Sequence, residues 1–161
     1  MKLAQIFLEI ELQWQNDRLA HIPEFLYRNT KTGSFENTAT NYVGGELGGG
    51  IYFITDKDTS FGYSYPTDRS IHQVTWTRRP SPKEVAYAMG DRGTAVLITG
   101  DSEEIWKEST VQDWKQNRID MLAAAKQHNI KVIIGLSTHE GAGQISVLDP
   151  SLLKLVFTTN I

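Results

Sequence analysis

The sequence contains no cysteine. Disulfides, thiolate metal sites, iron–sulfur clusters and a cysteine nucleophile are therefore excluded. No apolar run approaches the ~18 residues that a membrane-spanning helix needs, so no membrane association is expected. In the stretch "MKLAQIFLEIELQWQ", Glu9 and Glu11 interrupt the apolar core that a secretory signal would require. A cytoplasmic protein is expected, whether in the producing cell or in a host cell that receives it. An excess of either charge is also missing: 16 Lys and Arg face 19 Asp and Glu, a formal net charge of -3. That balance speaks against a surface that coats nucleic acid or binds membranes. The four histidines, His21, His72, His128 and His139, lack the i, i+4 spacing of a helical zinc pair. No metal is expected. There is no G-x-S-x-G elbow, although a Ser–His–Asp arrangement is defined by geometry and residue order alone does not exclude it.

What is present is an ordinary globular balance, with 40% hydrophobic and 22% charged residues over 161 positions. One domain spanning residues 1–161 is expected. Residues 6–14 alternate apolar and polar, which predicts a strand. Further strands are predicted at "FLYRN" (Phe25 to Asn29), "GIYFIT" (Gly50 to Thr55), "IHQVTW" (Ile71 to Trp76), "TAVLIT" (Thr94 to Thr99), "IKVIIGL" (Ile130 to Leu136), "QISVLD" (Gln144 to Asp149) and "LLKLVFTT" after Pro150. "SPKEVAYAM" carries the signature of a helix start: Ser81 as N-cap, Pro82 at N1, Glu84 at N3 and Gly90 as a stop. Residues 102–128 read as helical by composition, with a break near Ser109–Thr110 and an inward face of Trp114, Ile119, Leu122 and Ala125. Strands dominate and helices are irregularly placed, so the class is α+β.

The stretch "GGELGGGIYFITDKDTSFGYSY" (Gly44 to Tyr65) concentrates glycine, the residue that loses most backbone freedom on folding. It is not a P-loop, because no Gly-Lys-Ser/Thr follows. It is not a dinucleotide fingerprint either, because no helix pattern opens after it. Its glycines would let backbone pass close to something in front of the strand at Ile51–Phe53. Arg28 closes an apolar strand. An arginine there is most often a surface ion pair, and alternatively a rigid fork for a phosphate or carboxylate. Tyr52 and Tyr63 are ordinarily core or rim aromatics. With Ser60 they can instead form a slot for a flat cationic or amide-bearing ring.

"LYRNT", "GGGIYFITDKDTSFGYSY" and "QISVLDPSLLKL", in that order, resemble the three signature segments of the ADP-ribosyltransferase superfamily. The middle segment is similar to the poly(ADP-ribose)-polymerase-like, diphtheria-toxin-like branch: Gly48, Gly50, Ile51, Tyr52 and Phe53, then Ser60 eight residues after the tyrosine and Tyr63 three further on. The resemblance implies a split, antiparallel-rich β core flanked by helices, with NAD⁺ as substrate. It implies that Tyr52 and Tyr63 stack on nicotinamide, that Ser60 bonds its carboxamide, and that Gly50 belongs to the same wall. Where the polymerase-like branch carries His-Gly, this chain has Arg28–Asn29, as in the cholera-toxin-like branch. Arg28 would then hold the NAD⁺ phosphate or adjoining ribose, and Asn29 would offer backbone contacts. Aligning "DPS" (Asp149 to Ser151) puts Gln144 at the position of the family's glutamate, and a rival alignment puts Ser146 there. Residues two apart on a strand share a face, so both would line the cleft.

The implied activity is mono-ADP-ribosyl transfer to a macromolecular acceptor, a protein favoured over a nucleic acid, with Arg28, Tyr52 and Gln144 as the catalytic set. A glutamine keeps the hydrogen bond of the family's glutamate but has no charge and is no base. Loss of such a transition-state interaction typically costs about 3 kcal/mol, or roughly a hundredfold in rate. Chain elongation is therefore disfavoured. Single transfer, slow NAD⁺ hydrolysis or binding without turnover remain. Glu46 and Glu140 sit in glycine-rich loops, where solvated acids are the ordinary reading. A toxin, effector or phage-type modifier is a fold-level analogy. The alternatives are a catalytically weakened NAD-binding module, and an α+β domain that does not use NAD⁺. A phosphotransferase relative that takes a phosphate from RNA would want a basic cluster that this chain lacks.

Overall fold

The computed structural model describes residues 22–30, 34–35, 50–55, 70–91, 93–135 and 144–160. The predicted strand at 6–14 lies outside them. Nine strands and one α-helix are described: β1 (Phe25–Thr30), β2 (Ile51–Ile54), β3 (Ser70–Trp76), β4 (Val85–Asp91), β5 (Thr94–Ile98), β6 (Glu103–Lys107), α1 (Val111–Gln127), β7 (Val132–Gly135), β8 (Gln144–Val147) and β9 (Leu153–Asn160). They form one mixed sheet in the order β6-β5-β4-β7-β8-β2-β1-β3-β9. Its neighbouring strands are antiparallel except for β4 and β7. The α+β, sheet-rich class read from the sequence is the class observed.

Side chains alternate across a strand, and the two faces of the sheet carry separate cores. One contains Leu26, Phe53, Val74, Val85, Tyr87, Val132 and Ile145. The other contains Ala86, Ala88, Leu97 and Ile133 packed on Met121, Ala124 and Ala125 of α1, with Tyr52 and Leu148 against its margin. Small alanines on β4 and β5 let the helix approach the sheet closely. The sheet is most weakly joined between β2 and β1, where a single pair, Tyr27↔Ile54, sets the register. By contrast β1 and β3 are registered from Phe25↔Thr75 to Thr30↔Ser70.

Three expectations are corrected. "SPKEVAYAM" is not a helix. Pro82–Glu84 forms one 3₁₀ turn and Val85 enters β4 directly. The Glu84 carboxylate accepts from Ser81 N at 3.0 Å and from both terminal nitrogens of Arg78 at 2.8 and 3.0 Å. The capping chemistry is real, but it closes a single turn, because Val85 and Tyr87 belong to one core and Ala86 and Ala88 to the other. That alternation is satisfied only by a strand.

Residues 103–107 are also a strand, not the start of a helix. The helix begins at Val111, after Thr110, whose side chain accepts from Asp113 N at 3.1 Å. Its buried face shares only Ala125 with the predicted one. Asn117, Arg118, Met121, Ala124 and Ala125 are buried, whereas Ile119 is 45% exposed. Arg118 is 1% exposed because Glu108 meets its Nη1 at 2.5 Å and its guanidinium lies 5.1 Å from the centre of the Trp114 ring. Asn117 Nδ2 donates to Lys107 O at 2.9 Å. These polar anchors tie the helix to β6 on a side that composition alone assigns to solvent.

Candidate functional site

A cavity of about 230 Å³ opens where β8, β2 and β1 meet, lined by Tyr27, Arg28, Asn29, Tyr52, Phe53, Ile54 and Gln144. Its position follows from the register. Directly opposed residues of an antiparallel pair share a face. β2 and β8 oppose Tyr52 to Ser146 and Ile54 to Gln144. On the other side of β2 the single pair Tyr27↔Ile54 leaves room between the strands. Arg28 bridges that seam: its Nη1 donates to the carbonyl of Tyr52 at 2.9 Å. The guanidinium thus stitches β1 to β2 beyond their one registered pair, and it carries the only full charge among the described lining residues.

Four of the residues singled out from the sequence, Arg28, Asn29, Tyr52 and Gln144, line this one cavity although they come from three strands far apart in the chain. Of the two rival positions on β8, Gln144 is the one at the cavity. Ser146 is 0% exposed, beneath the chain at Gly50, and the expectation that both would line the cleft is corrected. The role expected of Gly50 also changes. It has φ +100, and a Cβ there would collide with Ser146 Oγ and lie 2.8 Å from Leu148 Cδ2 and 3.1 Å from Val147 O. Its close approach is to β8. It brings the entry of β2 down onto its neighbour, and only glycine fits. Ser60, Tyr63, Gly48, Glu46 and Glu140 lie outside the described residues.

One residue next to Arg28 has no role in the sequence reading beyond its exclusion from a zinc pair. His72, 2% exposed, stands opposite Arg28 in the β1–β3 register. Its Nε2 lies 2.6 Å from Thr30 Oγ1 and its Nδ1 2.8 Å from Thr158 Oγ1. Burial, and next the charge of Arg28, push its pKa below the ordinary imidazole value, so the ring is neutral around pH 7. The available cue was the alternation of "SIHQVTW", which puts His72 on the face of the buried Val74 and Trp76.

The chemistry open to the cavity is narrow. A guanidinium fork matches a phosphate or carboxylate. Two phenol rings offer flat walls to an aromatic ring. The Gln144 amide donates and accepts hydrogen bonds but takes no proton. Among the described residues no group of three or more His, Asp or Glu stands together as a metal set, and no helix is long and apolar enough to cross a membrane. No protein-family model matches the chain, and neither a curated protein nor a solved structure matches it.

Proposed function

We propose that the chain is a mono-ADP-ribosyltransferase that binds NAD⁺ in the cavity between β8, β2 and β1. The observation that carries this reading is the convergence of Arg28, Tyr52 and Gln144 on one cavity, each from a different strand. In this reading Arg28 holds the pyrophosphate, Tyr52 packs against nicotinamide, Asn29 contributes at its carboxamide, and Gln144 bonds a hydroxyl of the nicotinamide ribose. Fixing the dinucleotide in one bent arrangement supplies acceleration by positioning. The nicotinamide–ribose bond breaks, nicotinamide leaves neutral with the electron pair, and the ribose carbon is captured by an acceptor group on a macromolecule, which gives up its proton to solvent. With an amide at Gln144, the residue at the ribose neither stabilises the developing positive charge as a carboxylate would nor removes a proton. The reading is therefore of one transfer per site and not of polymer growth.

A second reading keeps the cavity and removes turnover: the chain binds NAD⁺ without cleaving it. The same Gln144 favours it. One experiment separates the two. The protein is incubated with NAD⁺ carrying a labelled adenylate and with cell lysate, and both labelled macromolecules and free nicotinamide are measured. Transfer that disappears in Arg28→Ala and Tyr52→Ala supports the enzyme. Saturable NAD⁺ binding without nicotinamide release supports the binding module. No binding at millimolar NAD⁺ overturns both.

A further inference from the structure

His72 is buried and titratable, and the proposed chemistry gives it no task. It stands in register with Arg28 on the neighbouring strand, and both of its ring nitrogens meet threonine hydroxyls, Thr30 at 2.6 Å and Thr158 at 2.8 Å. A hydroxyl donates or accepts as required. The neutral ring and the imidazolium therefore both keep two hydrogen bonds here without moving a heavy atom. A backbone N–H in either place would serve only the neutral ring. Arg28 is the charged group that faces His72 from β1. From β9, Leu153, Leu155 and Thr158 share its face and none is charged. The titratable neighbours Tyr27 and Lys154 occupy register positions that alternate to the opposite face.

We propose that His72 is a positioning residue that makes oxyanion binding at Arg28 proton-linked. An anion seated on the guanidinium offsets the charge facing the ring, and His72 takes up a proton as the ligand binds. Linkage is reciprocal: what the Arg28 charge does to the proton on His72, a bound anion undoes, and the proton tightens the anion by the same factor. Burial, and next the charge of Arg28, lower the proton affinity of the ring, in keeping with this coupling. The inference rests on the reading of the cavity as an NAD⁺ site.

The test uses ADP-ribose, whose pyrophosphate does not titrate near neutrality. Its affinity, measured by calorimetry in buffers of different ionisation enthalpy, should rise about three- to tenfold from about pH 8 to about pH 5.5, with net proton uptake. His72→Gln keeps partners for both hydroxyls and should bind ADP-ribose with a flat pH profile. In the unaltered protein, the His72 ring signal followed by nuclear magnetic resonance should titrate at higher pH with ADP-ribose than without it. A flat affinity in the unaltered protein, a pH-dependent affinity in His72→Gln, or a His72 titration indifferent to ADP-ribose each overturns the proton linkage alone. Failure of ADP-ribose to bind at every pH overturns the NAD⁺ reading and the linkage with it.

Discussion

Gly50→Ala is the sharpest structural test of how the cavity is built. At φ +100 an alanine sits in a region that costs an L-residue about 1–2 kcal/mol. Its Cβ also meets Ser146 Oγ, Leu148 Cδ2 at 2.8 Å and Val147 O at 3.1 Å. Ser146 is fully buried and Val147 O is backbone, so relief needs Ser146 and Leu148 to change rotamer or β8 and β2 to shift apart, and overpacking of this kind costs about 1–3 kcal/mol. The lower chain entropy of alanine in the unfolded state offsets about 0.4–1 kcal/mol. The expected net loss is about 2–4 kcal/mol, read as a lower urea midpoint at unchanged slope. Adding Ser146→Ala removes the hardest contact and leaves the backbone cost. The double variant should therefore be more stable than the sum of the single changes, by about 1 kcal/mol, a coupling expected of residues in contact. Gly50→Ala within about 0.5 kcal/mol of the parent, or strict additivity with Ser146→Ala, refutes the close approach of β2 and β8.

Three further outcomes are expected. On the NAD⁺ reading, Gln144→Glu places a carboxylate at the cavity and should raise nicotinamide release from NAD⁺ by about ten- to a hundredfold; an unchanged or lower rate removes Gln144 from the reacting ribose. Glu84 has its pKa lowered from its ordinary 4.5 to about 2, chiefly by the hydrogen bonds from Arg78 and next by that from Ser81 N. Its contribution is therefore fully present above the unfolded value and is lost as pH falls from about 4.5 toward about 2. Arg78 is largely exposed, so Glu84→Gln should cost only about 1 kcal/mol at neutral pH, and the gap to the parent should close over that acid range in thermal unfolding. Glu108→Ala leaves the buried Arg118 without its carboxylate and should cost about 3–5 kcal/mol in chemical denaturation, whereas a loss below about 1 kcal/mol would show that α1 is not anchored by this pair.

The strands were legible wherever β-branched and aromatic residues run between turn residues, as in Ile51–Ile54, Ser70–Trp76 and Val132–Gly135. The errors came from local signals outweighed by burial on both faces or by a charged edge. Ser81, Pro82 and Glu84 make a sound helix start, but Val85 to Ala88 are drawn into two opposite cores and straighten at once. Glu103 to Lys107 resemble helix in composition because β6 is an edge strand whose exposed positions are Glu103, Ile105 and Lys107, two of them charged, as edges often are. On α1 the buried Arg118 was unreadable, because its partner Glu108 precedes the helix and Trp114 lies beside it. At the candidate site Arg28 and Tyr52 stand out by their chemistry, and Gln144 only through the resemblance of its segment. Their meeting depends on strand order, which no local pattern contains. The same holds for His72: nothing near it in sequence announces Thr30 or Thr158, and both arrive through pairing with distant strands.

The single-rung seam between β2 and β1 has a consequence for assembly. On one side of it lie β2 and, beyond it, β4 to β8 with α1, which come from one unbroken stretch of chain, residues 85–147. On the other, β1, β3 and β9 require segments near the beginning and the end of the described chain to pair with each other. Contacts of such long sequence separation form late, because loop closure must precede the contacts that reward it. Amide protons of β4, β5 and β7 should then exchange as one slow unit, and those of β1 and β2 should open at lower free energy. The cavity exists only when both units have docked, so a ligand bound there stabilises the docked whole by mass action and protects β1 and β2 first.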